Sequence, residues 1–225
     1  MKERSRKDKN NNNAKDKLEI FNEKYNTELE YETMIISIPS KNLCDEGFKL
    51  LSKIPFNLTN QVIELNLSEN FIQDISPLLK MNYTNLKKLN LSKNRIENIN
   101  IFEKLDVKNL EELNLSSNKI KDVSSLSKLK LDNLTQINLY SNKISDISSF
   151  EFMNCPNLRI IDISNNDIID ITVFERINFP QLSQIACSNN YFNHELIKNN
   201  DIISNLRRKG CHINIWGTTK QHLYG

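Results

Sequence analysis

The stretch Leu110-Glu111-Glu112-Leu113-Asn114-Leu115-Ser116-Ser117-Asn118-Lys119-Ile120 decides the fold, because it recurs. Its asparagine belongs to a column, Asn70, Asn94, Asn118, Asn142, Asn166 and Asn190, spaced 24 residues apart without a slip. A fixed period of that length marks a stack of small units, none of which buries its apolar face alone. With the asparagine as position zero, positions −5 and −3 read Leu65/Leu67, Leu89/Leu91, Leu113/Leu115, Ile137/Leu139, Ile161/Ile163 and Ile185/Cys187. This alternation predicts a short strand with one buried face. The residue between each pair points the other way: Asn66, Asn90, Asn114, Asn138, Asp162 and Ala186. Apolar residues return at +2, from Ile72 to Phe192, and at +5, from Ile75 to Ile171, as the chain turns away from the strand.

Position +6 reads Ser76, Asn100, Ser124, Ser148 and Thr172. All are favoured helix N-caps, since a side-chain oxygen there takes a free backbone N–H. Pro77 follows Ser76 where a missing N–H costs nothing, and Glu103, Glu151 and Glu175 complete or resemble capping boxes. Each unit is therefore expected to run strand, turn, then one or two helical turns. Leu78, Phe102, Leu126, Phe150 and Phe174 close the core from the helical side. The anchor asparagines have a structural role in this reading. The chain leaves the strand while still buried, and an amide both donates to and accepts from its backbone.

The phrase LxxLxLxxNxI resembles the leucine-rich repeat over roughly residues 35 to 216. The resemblance implies an α/β solenoid, a horseshoe with a concave parallel sheet and short helical turns on the convex side. The Asn-x-Ile-x-x-Ile wording is similar to intracellular repeats, such as the leucine-rich-repeat regulators of protein phosphatase 1. Eight strands are expected, near 36–38, 65–67, 89–91, 113–115, 137–139, 161–163, 185–187 and 213–215. Lys41 replaces the anchor in the first unit, and Gly47 with Phe48, Leu50, Leu51 and Ile54 is similar to the longer helix of ribonuclease-inhibitor-type repeats. Leu18, Phe21 and Tyr25 predict a helix over 15–26 that caps the first strand, and residues 201–209 predict a closing helix stopped by Gly210. Residues 1–13, basic and Asn-rich, are expected to be a disordered tail, and residues 14–225 one repeat domain.

Composition excludes several functions. The net charge is +2, which gives no nucleic-acid or membrane footprint over the chain as a whole. Neither a spanning apolar run nor the apolar core of a secretory signal is present. Cys44, Cys155, Cys187 and Cys211 show no CxxC spacing, and Cys155 and Cys187 fall on core positions. These features predict an intracellular protein, cytoplasmic or nuclear. No phosphate loop, nucleophile elbow or metalloprotease motif appears, so no catalytic residue, cofactor or metal is assigned and no enzyme is expected. The acidic column Asp74, Asp122, Asp146 and Asp170 at +4 reads as turn residues rather than a calcium ladder.

The working surface is expected on the concave face, at positions −6, −4 and −2. The asparagines at −4 are expected to bond to one another along the stack. The later repeats break the pattern, with Tyr140 at −2, Ile160 at −6, Asp162 at −4 and Trp216 in the last unit. Exposed residues of these types anchor protein interfaces, although Ile160 and Trp216 packing against residues 218–225 would also account for them. The expected function is non-catalytic: a monomeric interaction scaffold or regulatory subunit holding a protein partner, such as a protein phosphatase. A nuclear RNA-processing scaffold, favoured by Lys87, Lys88, Arg95, Lys119 and Lys143, and a secreted or surface adhesin are the alternatives.

Overall fold

The computed structural model describes residues 17–31, 33–55, 62–81, 84–192 and 201–215. Eight three-residue strands form one sheet in sequence order, all neighbours parallel: β1 (Ile35–Ser37), β2 (Glu64–Asn66), β3 (Lys88–Asn90), β4 (Glu112–Asn114), β5 (Gln136–Asn138), β6 (Ile160–Asp162), β7 (Gln184–Ala186) and β8 (His212–Asn214). Each begins one residue before its predicted range. The register preserves the 24-residue offset, pairing Leu65 with Leu89, Leu113 with Leu89, and Ile137 with Leu113. A sheet in this order with turns behind it is the leucine-rich-repeat horseshoe.

The core runs the length of the stack behind the sheet. Positions −5, −3, +2 and +5 are buried from Leu65 to Phe192, as are Leu78, Phe102, Leu126, Phe150 and Phe174. The N-terminal end is covered by a helix over residues 17–25 whose Leu18, Phe21 and Tyr25 are buried, and by the helix Asp45–Leu51. Gly47 lets these two helices meet, since a Cβ there would collide with Tyr25 Oη and Leu43 Cδ1. At the far end the helix Ile202–Arg208 stops where Gly210 takes φ +82°. Gly210 N–H donates to Arg207 O and Cys211 N–H to Leu206 O, so the expected glycine stop is a Schellman turn.

The strands end because the chain turns left-handed. The residue before each anchor, Glu69, Lys93, Ser117, Ser141, Asn165 and Asn189, has φ between 53° and 57°. This kink swings the anchor into the core beneath its neighbours. Asn118 Nδ2 then donates to its own Leu115 O and Ser116 O and to Leu91 O of the preceding unit, at 3.0–3.2 Å. Its Oδ1 accepts from Ile96 N–H of that unit at 3.0 Å. The same pattern repeats at Asn94, Asn142, Asn166 and Asn190. Asn70, with no asparagine before it, serves Lys41 and Leu43 N–H and Ile38 O. All six anchors are buried, so each amide satisfies backbone groups that water does not reach.

The turns differ from expectation in how they are capped. Between strands lie short 3₁₀ turns, Ser76–Lys80, Asn100–Lys104, Ser124–Lys128, Ser148–Phe152 and Thr172–Glu175, and none is capped by its +6 side chain. Because +6 is already the first residue of the turn, the N–H in need of a partner is its own. Asp74, Asn98, Asp122, Asp146 and Asp170 at +4 accept that N–H at 2.7–2.8 Å. The Ser124 N–H and hydroxyl hold the Asp122 carboxyl below the usual carboxylate range. Glu151 closes no capping box; it pairs with Arg176 Nε of the next unit at 2.7 Å.

Candidate protein-interaction face

On the concave face the −4 column does not form the expected amide ladder. Among the described residues no bond joins one of these asparagines to the next. Each instead turns back on its own chain. Asn66, Asn90, Asn114 and Asn138 Oδ1 accept the N–H two residues on, at 2.9–3.1 Å. The strand spacing of about 4.8 Å permits an amide ladder, but the N–H two residues on in the same chain takes the side-chain oxygen locally, as Asn and Asp side chains do at turns. Asp162 makes the same bond, to Ser164 N–H at 2.9 Å.

Ion pairs between neighbouring units supply the self-satisfaction of the first half. Lys88 Nζ on β3 lies 2.8 Å from Glu112 on β4, in the −6 column. Lys87 meets Glu111 at 2.8 Å, and Lys93 meets Glu69 at 2.7 Å. The sequence carries this signal as opposite charges one period apart, a pattern visible only when repeats are read across rather than along. A further asparagine column at −9 also lies outside the repeat phrase. Asn109, Asn133 and Asn157 Nδ2 donate to Thr84, Lys108 and Asp132 O of the preceding units at 2.6–3.0 Å.

Past β4 the face changes. The −6 column runs Gln136, Ile160, Gln184 and His212, with no Lys, Arg, Asp or Glu. Tyr140 is 42% exposed, where Ser68, Ser92, Ser116 and Ser164 are buried in the equivalent position. Ile160 and Asp162 are half-buried at the ends of β6. In register, Ile160 lies between Gln136 and Gln184, and Asp162 between Asn138 and Ala186. Three of the four predicted surface residues thus share one patch. Trp216 lies outside the described residues, as do residues 1–13 and 218–225. Phe152, not singled out in the sequence, is 72% exposed on the convex side, where other units carry Lys80, Lys104, Lys128 and Arg176.

The chemistry available elsewhere is meagre. The four cysteines are unpaired, and burial pushes the Cys155 and Cys187 thiols up to about 12, so neither is a thiolate near neutral pH. Among the described residues no three His, Cys, Asp or Glu side chains are grouped to hold a metal ion, and no helix is long and apolar enough to cross a membrane. Four of the five cations that favour RNA are engaged. Lys87 and Lys88 are in the pairs above, Lys119 lies 3.6 Å from Glu97, and the Arg95 guanidinium sits 4.5 Å over the Phe71 ring.

Comparison with known proteins agrees with this architecture. Residues 108–168 match the family model for the leucine rich repeat, and residues 60–104 match that for leucine rich repeats in two copies. No curated protein matches the sequence. Among solved structures, internalin C2 from Listeria monocytogenes superposes with a TM-score of 0.64 at 23% identity, covering 86% of this chain and 79% of that one. A second internalin from the same organism gives 0.52 at 17% identity, covering 92% and 68%. A Leptospira interrogans LRR protein gives 0.52 at 24% identity, covering 70% and 36%. At these identities the likeness is one of fold.

Proposed function

We propose that this leucine-rich-repeat protein is a non-catalytic interaction module that seats a protein partner on the second half of its concave sheet, between β5 and β7. The observation that carries the reading is Tyr140. Every other described unit from β2 to β7 has serine at that position, and Tyr140 stands exposed between the small Ser116 and Ser164. A rigid aromatic on a preformed face supplies contact area at little entropic cost, the mark of an interface anchor. Ile160 adds an aliphatic contact, and no ion pair among the described residues occupies the patch.

The unpaired cysteines, three of them buried, support an intracellular setting, and regulation of an enzyme such as a phosphatase fits a module of this kind. Affinity purification from lysate with mass spectrometry, with and without nuclease, tests the reading. A partner lost in Tyr140→Ala and kept after nuclease supports it. A partner lost on nuclease treatment points to RNA, and one indifferent to Tyr140→Ala and Ile160→Ser moves the site elsewhere, with exposed Phe152 the next residue to replace.

A further inference from the structure

Tyr140 and Asp162 are departures that the fold itself does not require. At −4 the structural task is to accept one backbone N–H, and Asn138 and Asp162 perform it at the same distance, 2.9 Å. The negative charge of Asp162 adds nothing this task needs. At −2 the bond is made by the backbone N–H, so a tyrosine side chain is equally unneeded there. The anchor column shows the opposite case, because its amide must donate to carbonyls and aspartate never replaces it.

The surroundings leave the Asp162 carboxylate uncompensated. Oδ1 is held by Ser164 N–H, which fixes the group, and no bond among the described residues occupies Oδ2. Its lateral neighbours are Asn138 and Ala186, flanked by Gln136, Ile160 and Gln184. Of the charged groups on this sheet, Lys88 is neutralised by Glu112, and neither Arg159, ahead of β6, nor His212, on β8, bonds to Asp162. The half-buried Asp162 therefore carries one carboxylate oxygen with no bond among the described residues, on the face where the register places Tyr140 diagonally across on the neighbouring unit and Ile160 two residues back.

Resting on the interaction reading above, we infer that this patch recognises a protein segment presenting an arginine or lysine next to an apolar residue. The cation takes Asp162 Oδ2 and the face of Tyr140, and the apolar neighbour packs on Ile160. The same carboxylate repels phosphate, which disfavours a nucleic acid on this face.

The test is selection of a random twelve-residue peptide library displayed on phage against the immobilised full chain. The expected result is enrichment of peptides with a basic residue adjacent to an apolar one. A synthesised winner should bind Asp162→Asn at least tenfold more weakly, and bind wild type less tightly as salt rises. Asp162→Asn keeps the Ser164 bond, so its melting temperature should match wild type. Winners without a basic residue, or binding Asp162→Asn as well as wild type, overturn the inference; so does an unfolded Asp162→Asn, since the charge would then be structural. Loss of binding in Tyr140→Ala but not in Asp162→Asn overturns the cation while sparing the interaction face. Winners insensitive to both, or no enrichment, overturn both readings.

Discussion

The two halves of the concave sheet share one backbone and differ in what is left unsatisfied. From β2 to β4 three pairs of opposite charges meet one unit apart, Lys88 with Glu112, Lys87 with Glu111 and Lys93 with Glu69. From β5 to β7 the ion pairs drop out among the described residues, and what remains is a tyrosine, an isoleucine and a carboxylate held only by the Ser164 N–H of its own chain. Identical ladders of backbone bonds support both halves, so the difference costs the fold nothing. A repeat protein can thus vary its outward positions freely and keep its scaffold.

That separation can be broken experimentally, beginning with the column that carries the fold. Asn118→Asp should be the most damaging change. It turns a buried donor into a carboxylate facing Leu91, Leu115 and Ser116 carbonyls, at a cost of about 3–5 kcal/mol, measured by denaturant unfolding. Tyr140→Ala should weaken partner binding by about 2 kcal/mol or more, read by calorimetry, with the melting temperature unchanged; a lowered melting temperature would make the tyrosine a packing residue. Asn118→Ala should destabilise by about 1–3 kcal/mol, since the backbone groups stay buried but lose their partners; an unchanged unfolding midpoint would refute the anchor role. Ser117→Val places a β-branched side chain at φ 55° and should cost about 1 kcal/mol. The smallest effect is expected of Asn114→Asp, within about 0.5 kcal/mol, because the Ser116 N–H needs only an acceptor. If Asn114→Asp proved as harmful as Asn118→Asp, the division between donor and acceptor columns would fall.

Those two columns also show where the sequence stops being legible. Asn114 and Asn118 are the same residue four apart, each repeated every 24 residues, and no propensity tells their amides apart. Where the anchor amide points depends on the left-handed residue before it, a position occupied by Glu69, Lys93 and Ser117 as readily as by Asn165 and Asn189. The caps differ from the sequence expectation for a related reason. Ser and Thr at +6 and Asp at +4 are both capping residues, and only the start of the 3₁₀ turn decides which side chain stands ahead of a free N–H.

By itself the sequence determined the stack, the parallel sheet in chain order and the buried positions, because these follow from a period and an alternation, both properties of one dimension. It also marked Tyr140, Ile160 and Asp162 as departures, since a repeat supplies its own reference. Only the tertiary structure decided which amide donates and which accepts, which charges cancel between units, and that the three departures meet on one patch without an ion pair among the described residues. Hydrogen bonds and ion pairs act over about 3 Å and are directional. They are settled when neighbouring units are laid side by side, and not by the order of residues along the chain.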